Sequence, residues 1–247
     1  MSSWSRVHDI WVVRSGKLCA VQLTACPWIV SFMTMKLYFS RNPKPRLAVA
    51  VAKFLGAPVD YEFAAPFAPG QAEKFSKLNP NLSIPILEEN GQGLWEADAI
   101  ACRLSRKMGS NFWRTGDDES DMIRWLSWGK SNFVHACDMV HFERGTKQRY
   151  GLGPIDQKKV DVGLRMLREA AAILESHLAS RQWLTGEEPS YADFRMATFL
   201  PFNEVAKLPL DHFGGICRWY DRLQKIRAWH QPFENLVAPE LPAVPVD

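Results

Sequence analysis

Apolar residues change their spacing near residue 112, and this change constrains the fold more than any other feature of the chain. Before that point, apolar runs of strand length alternate with segments of helical spacing. After it, apolar residues recur every three or four positions, most regularly at Val160, Leu164, Leu167, Ala171, Leu174 and Leu178. We therefore predict an α/β domain over residues 35–112, followed by an all-α domain over residues 118–238.

Two strands and a helix open the first domain. Residues 36–40 and 59–63 have the composition and length of strands. Between them, residues 46–55 carry alanine, valine and leucine at helical spacing and end before Gly56, a residue type common at helix C-termini. Residues 41–45 are predicted to be a loop, because their two prolines cannot join a sheet ladder.

A hairpin and a further helix complete this domain. Residues 84–88 and 93–95 flank Asn90-Gly91, the dipeptide that most strongly favours a two-residue hairpin turn. A short polar helix is predicted around residues 71–78 and a longer helix over residues 98–108. The order βαβ, short helix, ββα describes one small α/β unit.

Two patterns describe the helical domain. One is a stripe of apolar residues at Ile123, Leu126, Phe133, Cys137 and Val140. We expect it to pack against the stripe that begins at Val160, because two such faces make the core of a helix bundle. The other pattern is Ser190 followed three residues later by Asp193, which is the spacing of a capping box at a helix start.

The two ends of the chain do not continue these patterns. Residues 1–34 contain three tryptophans and a patchy apolar stretch. Two interpretations stay open for them. One is an extension, either a mis-assigned upstream start or a poorly ordered segment, because Met35 leads directly into a strand; the other is a targeting segment, because charge precedes apolar residues. Residues 239–247 hold three prolines and are predicted to form an extended tail.

Composition excludes several classes of protein. Apolar residues make up 47% of the 247 residues and charged residues 23%, which is typical of a globular protein and excludes a disordered chain, a collagen and a coiled-coil rod. No apolar run reaches about 18 residues, so neither a spanning helix nor a membrane partner is expected. The net charge of +3 is spread along the chain, which argues against nucleic acid as a partner.

The cysteines argue against metal and redox sites. The chain has five of them, at positions 19, 26, 102, 137 and 217. No two are separated by the two residues typical of zinc sites and dithiol redox motifs, so no metal is expected. Reduced, unpaired thiols indicate the cytoplasm as the compartment.

Two segments of the first domain hold the candidate binding residues. Pro85 opens a strand, and a cis bond after Ile84 would turn the Ile84 backbone towards a peptide-like ligand; an ordinary strand-opening proline is the alternative. Glu96 and Ala97 open a helix whose free N–H groups suit a carboxylate, while the Glu96 side chain suits an ammonium. A first-turn acid that only complements the helix dipole is the alternative there.

These segments together resemble the cytosolic glutathione transferases of the bacterial type. That family's first domain is thioredoxin-like, with a Val-Pro segment containing a cis-proline and a Glu-Ser-x-Ala-Ile segment. The corresponding residues here are Ser83-Ile84-Pro85 and Glu96-Ala97-Asp98-Ala99-Ile100. The helix start at Ser190 and Asp193 resembles one in the family's all-helical second domain. The resemblance extends over about 200 residues, from Met35 to Phe233.

The resemblance implies a site and an activity. Glutathione would be a co-substrate, with no bound cofactor. The site would consist of Ser83, Ile84 and Pro85, with Ile84 pairing with the cysteinyl backbone, and of Glu96 and Ala97 at the γ-glutamyl end. A cytoplasmic homodimer would transfer glutathione to a small electrophile or exchange it with a disulfide. The alternative is a non-catalytic binding or assembly module with the same fold.

Three departures from the family pattern bear on this site. Ala97 replaces the usual serine, so only backbone donors and the helix dipole remain for the γ-glutamyl carboxylate. Leu82-Ser83 replace a glycine and a basic residue. The loop after the first strand lacks the cysteine of the bacterial type and has Lys44 near its position.

Without that cysteine, the group that stabilises the glutathione thiolate is left among three residues. Ser40 is the first candidate, because it ends the first strand. Asn42 is the second. Tyr38 fits only if the loop is shifted by one residue, because strand alternation otherwise turns its ring towards the core.

Three aromatic residues and two histidines of the second domain are further candidates. Trp128, Phe133 and Phe142 either line a pocket for the electrophile or belong to the core, and helical spacing favours the core. His135 and His141 lie six residues apart on one predicted helix, which is not the spacing of a metal site.

Overall fold

A computed structural model describes residues 11–14, 17–20 and 35–245, and the chain divides into two compact units, Met1–Phe32 and Met33–Asp247. In the first unit, strands β1 (Trp11–Arg14) and β2 (Lys17–Ala20) pair antiparallel. The spacing of apolar residues does not predict this hairpin. The other positions of the predicted extension lie outside the described residues, so both interpretations of residues 1–34 stay predictions.

Four strands form the sheet of the second unit. They are β3 (Met35–Phe39), β4 (Val59–Phe63), β5 (Ile86–Glu89) and β6 (Gln92–Trp95), in the order β4-β3-β5-β6. β3 and β4 are parallel, which requires a crossover between them, and the other two pairs are antiparallel. The predicted Asn90-Gly91 turn joins β5 to β6, with both residues in the left-handed region as such a turn requires.

Three helices accompany this sheet. They are α1 (Pro43–Phe54), α2 (Gln71–Phe75) and α3 (Ala97–Lys107). α1 begins three residues before the predicted start at Arg46, so the prediction of a loop over residues 41–45 was wrong in its second half. Pro43 and Pro45 fit the first helical turn, because the N–H groups there have no intrahelical acceptor.

Beyond residue 112, the described secondary-structure elements are helical. They are α4 (Asp117–Ser131), α5 (Phe133–His141), α6 (Lys147–Arg149), α7 (Gln157–Leu178), α8 (Tyr191–Met196), α9 (Asn203–Ala206), α10 (Gly214–Gln224) and α11 (Arg227–His230). A π-helical turn (Phe142–Thr146) joins α5 to α6. Within residues 35–245, no helix is both long and apolar enough to cross a membrane. The fold class is the predicted one, a thioredoxin-like domain followed by an all-helical domain.

The apolar stripe predicted across α4 and α5 is correct in α5 and only in part in α4, where Leu126 packs against the core as a partly buried residue. Phe133, Cys137 and Val140 are buried there as expected. In α4, however, Ile123 is 47% exposed, and the buried face is formed by Met122, Trp125 and Gly129. The backbone at Asn132 leaves the helical conformation, with φ of −127° and ψ of −96°, so the two helices do not share one phase.

The capping box predicted at the start of α8 is present. Oδ2 of Asp193 accepts from the backbone N–H of Ser190 at 2.8 Å and from its hydroxyl at 2.9 Å. Oδ1 accepts from the Leu184 N–H at 2.8 Å and from Nε1 of Trp219 at 2.9 Å. Burial raises the pKa of Asp193, and these four donors oppose that rise. The carboxylate therefore ties α8 to a preceding loop and to α10.

One hydrophobic core spans the sheet and the helical part. The rings of Phe54 in α1 and Phe112 lie 4.6 Å apart, and Phe194 in α8 lies 5.3 Å from the first and 5.0 Å from the second. The backbone N–H of Tyr191 donates to the Phe112 carbonyl at 2.9 Å. The two predicted domains therefore share a common core, and the divide between them at residues 112–118 stays a prediction.

Candidate functional site

The loop between β3 and α1 carries two of the predicted site residues. Ser40 follows β3 directly and is 1% exposed, and its Oγ accepts from the backbone N–H of Asn42 at 3.3 Å. Asn42 is the N-cap residue of α1, but its side chain does not cap the helix. Instead, its Nδ2 donates to the Tyr150 hydroxyl at 3.3 Å, which links the loop to the helical part of the fold.

Ser40 and Asn42 line a cavity of about 770 Å³, which we call the loop cavity. Ser83 and Ile84 also line it, and much of the remaining lining is aromatic, from Phe67, Phe75, Phe142 and Phe199. Phe142 thus reaches a cavity, whereas Phe133 is fully buried and Trp128 packs edge-on against Trp125, so that neither of these two lines the loop cavity.

A second cavity of about 440 Å³, the helix cavity, lies at the start of α3. Ser83, Ile84, Pro85, Glu96 and Ala97 line it. The bond between Ile84 and Pro85 is cis. Since Ser83 and Ile84 line both cavities, the two adjoin, and each of the seven candidate residues lines at least one of them.

The start of α3 is open on its N-terminal side. Glu96 is the N-cap residue, and no side chain caps the helix there. Its φ of 69° places a non-glycine residue in a region that costs about 1–3 kcal/mol. The first N–H groups of the helix, beginning with Ala97, have no side-chain acceptor, and Ala97 and Asp98 line the helix cavity, so this helix start suits an anionic group.

Residues of the helical part close both cavities, and the sequence alone did not single them out as site residues. Asp138 of α5 lines both cavities and forms an ion pair with Lys44 at 3.2 Å, so the residue near the position of the bacterial-type cysteine is engaged across the site. Lys130, His135 and Arg195 line the helix cavity. Only contacts between residues far apart in sequence bring these groups together, and no local motif indicates them.

Asp98 connects the start of α3 to α8. Its Oδ1 accepts from the Tyr191 hydroxyl at 2.6 Å and from Nε of Arg195 at 2.9 Å. Burial raises the pKa of Tyr191, and the neighbouring Asp98 charge raises it further, so the phenol stays a donor. This contact fixes the helix that contributes Arg195 to the helix cavity.

Tyr38, the third candidate partner for the thiolate, does not line either cavity. Its hydroxyl donates to Oε2 of Glu88 at 2.6 Å, and its ring packs edge-on against Phe75. Burial, together with the Glu88 carboxylate, raises the pKa of Tyr38. Strand alternation turns this residue to the core, as expected for the loop without a shift.

His141 lines the loop cavity directly before the π-helical turn. It is buried between Phe199 and Phe202, and burial lowers its pKa to about 4. The imidazole is therefore neutral at neutral pH. Within the part of the chain that the structure describes, no three His, Cys, Asp or Glu residues are grouped to hold a metal ion, and Cys102, Cys137 and Cys217 are unpaired thiols.

Comparison with known proteins identifies both parts of the fold. The family model "Glutathione S-transferase, N-terminal domain" matches residues 33–104, and "Glutathione S-transferase, C-terminal domain" matches residues 136–226. Over 200 residues, the chain is 25% identical to glutathione S-transferase D6 of Drosophila melanogaster, an alignment that covers 78% of this chain and 88% of that protein.

Solved structures share the fold. Human glutathione S-transferase T1-1 in its apo form has a TM-score of 0.73 at 20% identity, over 85% of this chain and 92% of that one. Ure2p in complex with glutathione has a TM-score of 0.68 at 19% identity, over 80% and 97% of the two chains. These structural likenesses concern the fold alone. The two family models, however, match in the expected order, and each matched range contains residues that line the cavities. The chain belongs to the glutathione S-transferase family.

Proposed function

We propose that this protein is a glutathione transferase that conjugates glutathione to small electrophiles or exchanges it with disulfides. One observation carries the proposal: the loop with Ser40 and Asn42, the Ile84–Pro85 segment and the open start of α3 line two adjoining cavities. An extended tripeptide with a free amino-acid group at one end and a thiol in the middle fits such an arrangement.

The γ-glutamyl and cysteinyl parts of glutathione meet matching chemistry in this arrangement. The γ-glutamyl carboxylate binds the free N–H groups at Ala97, and its ammonium binds the Glu96 carboxylate. The cysteinyl backbone pairs with Ile84, between Ser83 and Pro85. The thiol then enters the loop cavity, where Ser40 and Asn42 are placed.

The chain's contribution to the chemistry is to favour the thiolate. A hydrogen bond to sulfur lowers the thiol pKa, so the proton leaves to solvent and more of the glutathione is nucleophilic at neutral pH. The thiolate then forms a bond to an electrophilic carbon. In a substitution the leaving group departs with its bonding electrons, and in an addition the electrons of the broken π bond move to the neighbouring atom, which takes a proton from solvent. With a disulfide, the thiolate attacks one sulfur and expels the other as a thiolate. The aromatic lining of the loop cavity suits apolar electrophiles.

Both loop residues have a hydrogen left to donate to sulfur. The Ser40 oxygen accepts from the Asn42 backbone, which leaves the hydroxyl hydrogen free for this role. The Asn42 amide has two N–H groups, and one of them is directed at Tyr150. We place Ser40 first and Asn42 second.

The test is the thiol pKa of bound glutathione, measured from thiolate ultraviolet absorbance against pH. Ser40→Ala should raise that pKa while glutathione affinity changes little, because the peptide is held at Ile84 and Glu96. Turnover at neutral pH should fall about 10- to 100-fold, at or below the effect of one lost oxyanion donor, and recover partly at higher pH. Ser105→Ala, a buried serine on α3 that lines neither cavity, is the matched control and should leave the thiol pKa unchanged.

Other outcomes reassign the role. A shift in Asn42→Ala with none in Ser40→Ala would give the sulfur to the amide. If neither variant shifts the thiol pKa, neither residue stabilises the thiolate.

The second candidate is a non-catalytic binding or assembly module, favoured by Ala97 at a position where a hydroxyl would bind the γ-glutamyl carboxylate. Calorimetry separates the two functions. Heat of binding at millimolar glutathione together with a lowered thiol pKa supports the enzyme, whereas no binding supports the module. In either case we propose a cytoplasmic homodimer that binds neither nucleic acid nor membranes, and sedimentation gives its mass in solution.

A further inference from the structure

The extended chain after α11 returns to the loop that carries Ser40 and Asn42. Residues 238–242, which we call the tail clasp, make two contacts with Arg41. The Arg41 Nε donates to the Ala238 carbonyl at 2.8 Å, and its Nη2 forms an ion pair with Oε1 of Glu240 at 2.7 Å. The guanidinium also stacks on the Phe233 ring at 4.8 Å. A planar guanidinium held on two edges and one face has little freedom left.

Arg41 lies between the two candidate thiolate donors in sequence. Its side chain lines neither the loop cavity nor the helix cavity. Its backbone, however, is the covalent link between Ser40 and Asn42. Fixing the Arg41 side chain therefore restricts the backbone that carries both donors.

The tail clasp also contacts the residue next to the acceptor of Asn42. Nη1 of Arg149 donates to the Pro242 carbonyl at 2.9 Å. The neighbouring Tyr150 accepts from Nδ2 of Asn42 at 3.3 Å and packs edge-on against Phe67, which lines the loop cavity. The clasp thus contacts Arg41, the neighbour of the donor Asn42, and Arg149, the neighbour of the acceptor Tyr150.

We propose that the tail clasp is a positioning element for the thiolate: through Arg41 and Arg149 it fixes the loop that presents Ser40 and Asn42 to the glutathione sulfur. This inference rests on the proposed function of that loop. Arg41 and Glu240 are positioning residues, since neither lines the cavity that receives the sulfur.

The contacts of the clasp suit a local effect better than a contribution to the stability of the fold. Glu240 has a side chain that is 80% exposed, and exposed ion pairs contribute little to folding. Small displacements of a group that touches the reacting atom, in contrast, change rates strongly. Loss of the clasp should therefore change the thiol pKa of bound glutathione and the turnover more than it changes the melting temperature.

The experiment compares two truncated chains with the full chain. A chain ending at Val237 loses the contacts of Ala238, Glu240 and Pro242. A chain ending at Pro242 keeps these contacts and is the matched control. We expect the shorter chain to bind glutathione with a Kd within about threefold of the full chain, while kcat at neutral pH falls about three- to tenfold. The thiol pKa of bound glutathione should rise by up to about one unit. Glu240→Gln should give a smaller change in the same direction.

Hydrogen exchange tests the clasp without any ligand. The amide of Asn42, which donates to Ser40 Oγ, should exchange faster in the chain ending at Val237 and at the full-chain rate in the chain ending at Pro242. Unchanged exchange in the shorter chain overturns the proposal, even if the full chain binds glutathione. Faster exchange with an unchanged thiol pKa and kcat also overturns it, because the clasp would then hold the loop with no effect on sulfur. If the full chain does not bind glutathione, the proposed function fails and the proposed role at sulfur fails with it, whatever the exchange of Asn42.

Discussion

Two helix starts in this molecule are built in opposite ways. At the start of α8, the Asp193 carboxylate is fully buried and accepts four hydrogen bonds, two of them from the N-cap Ser190. At the start of α3, Glu96 has a positive φ, no side chain caps the helix, and the first turn faces a cavity. One start is saturated by the protein's own groups, and the other is left open.

We infer from this difference that the start of α8 serves the stability of the fold and that the start of α3 serves the ligand of the proposed function. A buried, saturated cap stabilises the native state, because any donor that loses its partner there is left without water. An open start with a strained N-cap is a cost to stability, and under the proposed function a bound carboxylate would offset it. The two starts are also linked, because Asp98 in the first turn of α3 accepts from Tyr191, the first residue of α8.

The largest expected effect is at the saturated start. Asp193→Ala removes the acceptor of four buried donors, which belong to the three residues Leu184, Ser190 and Trp219, so the free energy of unfolding should fall by about 3–5 kcal/mol. Urea unfolding measures the change, and Asp193→Asn, which keeps one acceptor oxygen, provides a milder variant if the alanine variant does not fold.

A second N-cap in the same part of the fold is the control for that prediction. Asp156 caps α7 by accepting from the N–H groups of Lys158 and Lys159 at 3.1 and 3.3 Å, and these bonds are exposed. Asp156→Ala should therefore cost only about 1 kcal/mol. Equal losses in the two variants would show that burial of Asp193 adds nothing to an ordinary cap.

The link between the two starts should give an intermediate effect. Asp98→Ala leaves the buried Tyr191 hydroxyl without its acceptor, so the free energy of unfolding should fall by about 2 kcal/mol. Tyr191→Phe removes the donor and should cost about 1 kcal/mol. The double variant should lose less than the sum of the two, and strictly additive losses would mean that the two groups do not interact.

The smallest effect is expected at the open start. Ala97→Ser places a hydroxyl beside the N–H groups of the first turn of α3, and it should tighten glutathione binding by about 1 kcal/mol, or roughly fivefold in Kd. Calorimetry measures the change. Ala99→Ser, in the same turn but lining neither cavity, should leave the affinity unchanged. An unchanged Kd in Ala97→Ser would indicate that the γ-glutamyl carboxylate is held elsewhere.

Turn residues, helix-capping residues and the spacing of apolar residues predicted the features that depend on neighbours in sequence. The Asn90-Gly91 turn and the capping box at Ser190 and Asp193 are confirmed, because each is determined within a few residues. The change from mixed to helical elements near residue 112 is confirmed as well, because the apolar spacing repeats over many turns. The start of α1 was missed by three residues because proline excludes a strand but is well accepted in a first helical turn.

Features that depend on distant contacts were not predicted. Ile123 is exposed because the backbone break at Asn132 gives α4 a different phase from α5. No residue type in the sequence indicates such a break. Tyr150 reaches Asn42 across 108 positions, and the tail clasp reaches Arg41 across 197. Such pairs have no periodicity and no motif, so the candidate residues of the first domain were named from the sequence while their partners from the helical part were not.

The aromatic contact between Phe54, Phe112 and Phe194 limits how the two parts of this chain can be recombined with those of relatives. Two of the rings come from the sheet part and one from α8, and they pack within 4.6 to 5.3 Å of one another. Because protein interiors are close-packed, a chimera that brings a ring of different size to one side has to leave a void or force an overlap on the other. Exchange of whole domains at residue 112 therefore preserves a functional chain only when all three positions are inherited together or change in concert.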